Sequence, residues 1–257
     1  MIDLTTLPDL TPGICSVTLR DKGIDEVVRI AAEAGLAGIE WGTDVHIKDT
    51  DSAEHARKAG EEAGLRVLSL GSYYRAGSFA GFDHLLDLAT TLGAPRIRVW
   101  AGDVGSHEAT DEHWESVVSD SQRIAGLAEE HGITIAFEYH GNTLTDTPET
   151  TLELLRRVDH ANIGTYWQPA VGLSDQQALD SLHHVLPHVV GVHCFSWGPK
   201  AERHPLRARK LLWQTVSDVL RGNGQDLDIM MEFVEDDLPE NVLHDAAFLH
   251  GITLGED

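Results

Sequence analysis

The sequence predicts a single (β/α)8 TIM barrel, an α/β fold in which parallel strands alternate with helices. Three observations predict it: the length of 257 residues, a repeated unit that joins a helix to a strand through a glycine, and strand-like segments at eight places. About 250 residues is a usual length for such a barrel. We therefore expect one domain over residues 1–257, with a doubly wound open sheet as the weaker alternative.

The repeated unit is clearest in the first half of the chain. Gly35, Gly64, Gly93 and Gly132 each end a helical pattern and precede a strand-like run. Glycine suits this position because it accepts the left-handed conformation that ends many helices. The predicted strands read, in chain order, GICSVT, AGIEWG, LRVLSLG, PRIRVWAG, TIAFEYH, IGTYW, VVGVHCF and LDIMMEFV. The later helices end at other stop signals, namely Asn162, Pro187 and the segment GNGQD.

Composition excludes several function classes. With 19 Lys and Arg against 42 Asp and Glu, the formal net charge is -23, which opposes binding to a phosphate backbone. No run approaches the roughly 18 apolar residues of a membrane span, and MIDLTTLPDLTPG has no export pattern. We expect a cytoplasmic protein that binds neither nucleic acid nor membrane, with Cys15 and Cys194 as reduced core thiols.

Polar residues interrupt the last four predicted strands at comparable depth. They are Glu138, Gln168, His193 and Glu232. In a barrel these strand ends meet on one face, so a nitrogen and several oxygens would converge on a site suited to Mn²⁺, Mg²⁺, Co²⁺ or Zn²⁺. The alternative is a structural polar core, in which Glu138 pairs with an arginine such as Arg98. Glu40 and Arg98 are expected to share one barrel layer and to pair there.

Five stretches carry a resemblance to a known family: GIEWGTDVHI, IRVWAG, FEYHGNTLTDTPET, VVGVHCFSW and MMEFV. In this order and spacing, the chain resembles the sugar phosphate isomerase/epimerase superfamily. These xylose isomerase-like barrels include ketose 3-epimerases, hydroxypyruvate isomerase and inosose dehydratase. The resemblance implies one divalent metal, Mn²⁺ first, held by Glu138, His193 and Glu232. Gln168 stands where the family has a ligating aspartate, and Val171 where it often has a histidine.

The resemblance also implies an activity, a divalent-metal-dependent sugar isomerase or epimerase that acts through a metal-stabilised enediolate. Glu138 and Glu232 would be the catalytic bases on opposite sides of the reacting carbon. With a β leaving group the same bases would make a dehydratase or another lyase. A third possibility is a barrel with a decayed site that binds a sugar or a partner without turnover.

Further side chains near the strand ends are candidates for binding a small-molecule sugar. His46, Trp100 and His140 would contact hydroxyl groups or stack on the sugar, and Arg203 would bind an anionic group from the long loop SWGPKAERHPL. For each of them, a rim or packing role is the alternative. Related barrels often form dimers or tetramers, which leaves a homo-oligomer open.

Overall fold

A closed barrel of parallel strands forms the centre of the computed structural model, which describes residues 9–255. The barrel strands are β1 (Leu10–Cys15), β2 (Gly38–Gly42), β3 (Arg66–Arg75), β4 (Arg96–Trp100), β5 (Thr134–Phe137), β6 (Ile163–Trp167), β7 (Val189–Cys194) and β10 (Leu227–Met231). Their order around the barrel is β1-β10-β7-β6-β5-β4-β3-β2, and it confirms the predicted fold class.

Helices connect successive barrel strands and surround the barrel. They are α1 (Ile24–Glu33), α2 (Thr50–Glu62), α3 (Phe82–Leu92), α4 (Asp111–Glu129), α5 (Pro148–Val158), α6 (Asp175–Val185), α7 (Lys210–Gly222) and α8 (Pro239–Leu254). Short 3₁₀ turns cover Ser16–Leu19, Leu186–His188, Leu206–Arg209 and Glu235–Asp237. Within residues 9–255, no helix is both long and apolar enough to span a membrane.

The helix boundaries follow the local sequence signals. Gly35, Gly64, Gly93 and Gly132 have φ values between 67° and 74°, which confirms their predicted left-handed conformation at helix ends. At the start of α2, the Asp49 carboxylate accepts a hydrogen bond from the backbone N–H of Ser52 at 2.8 Å. Such a cap satisfies a backbone donor that has no partner inside the helix.

Three segments differ from the sequence expectation. Strand β3 runs past Gly71 to Arg75, and its pairing with β4 shifts register over that extension. Strand β5 ends at Phe137, so Glu138 is the first residue beyond the strand. The loop after β7 folds back as a small antiparallel hairpin of β8 (Ser196–Trp197) and β9 (Arg203–His204).

Apolar packing surrounds the barrel, while its interior mixes apolar and polar side chains. Trp41, Trp167, Trp213 and Phe82 are among the largest fully buried side chains of the layer between barrel and helices. Inside the barrel, a smaller cluster contains Cys15, Leu68, Ala136, Tyr166 and Met230. Both cysteines are buried and free, as predicted. The interior also contains the buried polar residues Glu40, Arg98 and His193, on β2, β4 and β7.

Candidate active site

The polar residues of the last four barrel strands meet at one point. Glu138, His193 and Glu232 each offer a ligand atom within 4.8 Å of the other two. His193 Nδ1 lies 3.7 Å from Glu232 Oε2 and 2.9 Å from Gln168 Oε1. They converge because Glu138, Gln168 and Glu232 directly follow β5, β6 and β10, and these strand ends share one face of the barrel.

The Gln168 amide has a fixed orientation. Its Nε2 donates a hydrogen bond to the backbone oxygen of Tyr139 at 2.9 Å. The amide oxygen therefore points at His193 Nδ1, toward the same centre as the two carboxylates. Gln168 thus presents its amide oxygen to the cluster. This oxygen is the amide atom that can bind a cation, because the amide nitrogen is only a donor.

Two donors hold the Glu138 carboxylate. Trp100 Nε1 donates to Oε2 at 2.5 Å, and Arg98 Nη1 forms an ion pair with the same oxygen. The backbone of Glu138 is anchored by a hydrogen bond from Thr145 Oγ1 to its carbonyl oxygen at 2.6 Å. Both sequence expectations for Glu138, a place in the polar cluster and a pairing with Arg98, are therefore present together.

Burial and neighbouring charges shift the pKa values of His193, Glu232 and Arg98 in the polar cluster. Burial alone would lower the pKa of His193, but the negative charges of Glu232 and Glu40 outweigh it and raise that pKa. Burial raises the pKa of Glu232, helped by the charge of Glu138 and opposed by His193. For Arg98, Glu138 and Glu40 outweigh burial and raise the pKa, so the guanidinium stays charged.

These residues fit a divalent cation by charge and by donor type. Three buried carboxylates, Glu40, Glu138 and Glu232, face one guanidinium, Arg98, so two negative charges stay uncompensated when His193 is neutral. Gln168 Oε1 and His193 Nδ1 lie 2.9 Å apart; they share a hydrogen bond when Nδ1 carries a proton, and both can bind a cation when it does not. Adjacent ligand atoms of an octahedral Mg²⁺, each about 2.1 Å from the ion, lie about 3 Å apart. The set of oxygens plus one imidazole also suits Mn²⁺, Co²⁺ or Zn²⁺.

A cavity of about 530 Å³ opens above these residues. This volume is within the usual range for small-molecule sites. One wall carries Trp100 and His140, whose rings stack with centroids 4.4 Å apart. A second aromatic pair in the lining is Trp197 and Phe233, with centroids 5.6 Å apart. The cavity therefore combines polar residues with two aromatic pairs, which suits a flat ligand with polar edges.

Two predicted substrate contacts lie elsewhere. The ring nitrogens of His46 contact Ser16 Oγ at 3.0 Å and the Lys22 backbone oxygen at 3.1 Å, and His46 does not line the cavity. Arg203 pairs with Asp237 and lies over the Phe233 ring at 4.0 Å, and it does not line the cavity. For both residues, direct contact with a substrate stays a prediction without support from the position of the side chain. Both positions instead fit the packing alternative.

Sequence reasoning missed part of the aromatic lining. Tyr73, Trp197 and Phe233 all line the cavity. Phe233 directly follows Glu232 and has a φ of 60°, a left-handed conformation that is uncommon for a residue with a bulky side chain. The signal available in the sequence was the position of Phe233 just after a strand end, where side chains of a barrel line the site.

Comparison with a family model agrees with this architecture. The model of the xylose isomerase-like TIM barrel family matches residues 28–250. That span includes the four residues of the polar cluster and the cavity walls.

Comparison with individual proteins gives similar folds at low identity. A 3-dehydroshikimate dehydratase of Bacillus anthracis is 29% identical over 164 residues, a match that spans 59% of each chain. A crystal structure of D-psicose 3-epimerase in the presence of D-fructose has a TM-score of 0.76 at 16% identity, covering 95% of this chain and 99% of that chain. A xylose isomerase-like TIM barrel protein from Mycobacterium smegmatis in complex with magnesium has a TM-score of 0.71 at 14% identity, covering 99% of both chains.

Proposed function

Because this chain belongs to the xylose isomerase-like TIM barrel family, we propose that it is a divalent-metal-dependent sugar isomerase or epimerase. One observation carries the proposal: ligand atoms of Glu138, His193 and Glu232 lie within 4.8 Å of one another, and the two glutamates line a cavity that also has aromatic lining residues. Such a cluster combines a cation site with two carboxylates that can exchange protons.

Glu138, Gln168, His193 and Glu232 would hold the cation, with Mn²⁺ first and Mg²⁺, Co²⁺ or Zn²⁺ as alternatives. When bound, it would supply a Lewis acid for vicinal substrate oxygens and lower the energy of an enediolate. The magnesium in the structurally similar Mycobacterium smegmatis protein supports a divalent ion here. Gln168 contributes no charge, so we expect weaker affinity than a site with a third carboxylate would have.

Glu138 and Glu232 would transfer the proton. Trp100 and Arg98 hold the Glu138 carboxylate at one oxygen and fix its orientation. Burial and the charge of Glu138 raise the pKa of Glu232, which favours its protonated form and suits a group that both takes and returns a proton. Removal at one face and return at the other would invert a carbon, whereas transfer to the adjacent carbon would move the carbonyl.

The residues that line the cavity would bind the sugar. The stacked rings of Trp100 and His140 offer a flat face for the C–H side of a sugar. We propose that the ligand is a small-molecule sugar. The net charge of -23 opposes binding to the phosphate backbone of a nucleic acid. A cytoplasmic location and a homo-oligomer stay predictions. Light scattering would measure the oligomeric state.

The test combines metal content with proton exchange. We expect about one Mn, Mg, Co or Zn per chain after supply of these ions, and deuterium uptake from heavy water into a ketose panel. Glu138→Gln should abolish the uptake, while Glu153→Gln on the exposed face of α5 should leave it intact. A wild-type protein that takes up none of these ions would overturn the metal-dependent mechanism. Bound metal without exchange or turnover would favour the non-catalytic binding barrel.

A metal-dependent dehydratase is the second candidate, and one observation favours it. The relative that matches at 29% identity is named a 3-dehydroshikimate dehydratase. The same carbanion would expel a β hydroxyl group as water instead of being reprotonated. Mass spectrometry of the product separates the candidates, because an isomerase returns a product of unchanged mass in light water and a dehydratase returns one lighter by a water molecule.

A further inference from the structure

Glu40, on β2, is a buried carboxylate beneath the polar cluster. It is 2% exposed and has four partners. Oε1 accepts from Arg98 Nε at 3.0 Å and contacts His193 Nε2 at 3.2 Å. Oε2 accepts from Tyr166 OH at 2.8 Å and from Ser69 Oγ.

These four contacts use the acceptor capacity of the carboxylate. An ionised carboxylate has about four lone-pair positions. Glu40 therefore has none left for a substrate or a cation, although Cys15, Glu40 and His193 also have ligand atoms within 4.8 Å of one another. The geometry argues against a second metal site at these three residues and makes Glu40 a residue that acts through its neighbours.

The contact with Glu40 determines the proton position on His193. Arg98 Nε is always a donor, so Glu40 Oε1 is an acceptor, and His193 Nε2 must donate to it. Gln168 Oε1, beside Nδ1, is an acceptor as well, but a neutral imidazole has one N–H, and an ionised carboxylate accepts a stronger hydrogen bond than an amide oxygen does. The proton of the neutral ring therefore belongs on Nε2, which leaves a lone pair on Nδ1. That nitrogen faces Gln168 Oε1 and Glu232 Oε2 at 2.9 Å and 3.7 Å.

We propose that Glu40 is a positioning residue that fixes the His193 ring so that Nδ1, and not Nε2, faces the cation ligands. The inference rests on the proposed function, because the ring is oriented for a cation. Histidines that bind metals usually donate their other N–H to a carboxylate or carbonyl, and loss of that partner commonly weakens metal binding by about 10- to 100-fold.

The first test reads the tautomer without any metal. In the metal-free wild type at alkaline pH, where the ring is neutral, ¹⁵N NMR should place the His193 proton on Nε2. A proton on Nδ1 would overturn the proposal whether or not the protein binds a cation.

The second test measures Mn²⁺ affinity from the electron paramagnetic resonance signal of the free ion. Glu40→Gln should weaken binding by about 10- to 100-fold. Ser69→Ala is the matched control, since it removes a donor to the other oxygen of Glu40 and leaves the His193 contact in place. Circular dichroism checks that each variant is folded.

The outcomes separate this proposal from the proposed function. No Mn²⁺ binding by the wild type counts against the metal-dependent function, while the NMR result still decides the role of Glu40. If the wild type binds Mn²⁺ and folded Glu40→Gln binds it equally well, or Ser69→Ala weakens binding as much, the positioning role is refuted.

Discussion

Gln168 sets the charge of the polar cluster. Replacing it with the isosteric glutamate adds one negative charge beside His193 and Glu232. We expect Gln168→Glu to bind Mn²⁺ more tightly, by about tenfold, because charge count tunes the affinity of oxygen-ligand sites. Without metal the variant should unfold at a lower temperature, since a carboxylate loses the hydrogen bond from Nε2 to the Tyr139 oxygen. Calorimetric titration measures the affinity, and unchanged affinity would show that Gln168 does not bind the ion.

Arg98 is the buried cation that compensates Glu40 and Glu138. Arg98→Met should lower the free energy of unfolding by about 3–5 kcal/mol, because it removes the cation that compensates two buried carboxylates. Saturating Mn²⁺ should recover part of this loss by compensating Glu138. Urea denaturation with and without Mn²⁺ measures both effects. Arg156→Met, on the exposed side of α5, is the control and should change little.

At the residue scale, the sequence predicted the members of the cluster better than their contacts. Glu138, His193 and Glu232 stood out because charged groups are rare in apolar strands. The fixed amide of Gln168 and the four partners of Glu40 depend on side chains from several strands, which no local pattern encodes. For His46, position near a strand end left both a substrate contact and a packing role open, and the contacts of its ring with Ser16 and Lys22 fit the packing role.

At the element scale, Asp245 links α8 to the turn that follows the β8–β9 hairpin. Its carboxylate accepts a hydrogen bond from the backbone N–H of Leu206 at 2.9 Å. Burial, aided by the charge of Glu235, raises the pKa of Asp245 to about 6 from an ordinary value of 3.8. The folded protein therefore favours the neutral acid, and this contribution to stability is present below pH 3.8 and is lost as the pH rises through about 6.

Asp245→Asn should show this pH dependence directly. Asparagine keeps an acceptor for Leu206 and carries no charge. Relative to the wild type, the variant should gain stability between about pH 4 and pH 7, by at most about 3 kcal/mol. Urea denaturation across this range measures the difference. A difference that does not vary with pH would contradict the raised pKa.

Helix ends were predictable because glycine and capping residues act locally, as Gly93 at the end of α3 shows with its φ of 74°. The β8–β9 hairpin was not predictable. Its strands have only two residues each, and the contacts that stabilise it, such as Arg203 with Asp237, come from a distant part of the sequence.

At the scale of the whole molecule, the repeated glycine-to-strand unit of the first half and the eight strand-like segments were enough to predict a closed barrel, because eight strands alternating with helices fit the length of one. The excess of acidic residues makes a separate prediction. With a net charge of -23, like-charge repulsion should destabilise the folded chain at low ionic strength. The melting temperature should rise between about 0.01 M and 1 M NaCl, as the Debye length falls from about 30 Å to about 3 Å.

Choline chloride is the control for this experiment, since its bulky cation does not bind carboxylate sites. Equal rises in both salts would indicate screening of the net charge. A rise in NaCl alone would indicate a specific Na⁺ site, and no rise in either salt would contradict the repulsion argument.

The hydrogen bond from Trp100 to Glu138 has a spectroscopic consequence. The indole donates to the same carboxylate that would hold the cation, and its ring stacks on His140. Any ion or ligand that changes the charge around Glu138 should therefore shift the intrinsic fluorescence of Trp100. Subtracting the spectrum of a Trp100→Phe variant would isolate that emission from the other tryptophans. The protein thus carries a built-in optical reporter of cavity occupancy, and it requires no dye and no turnover.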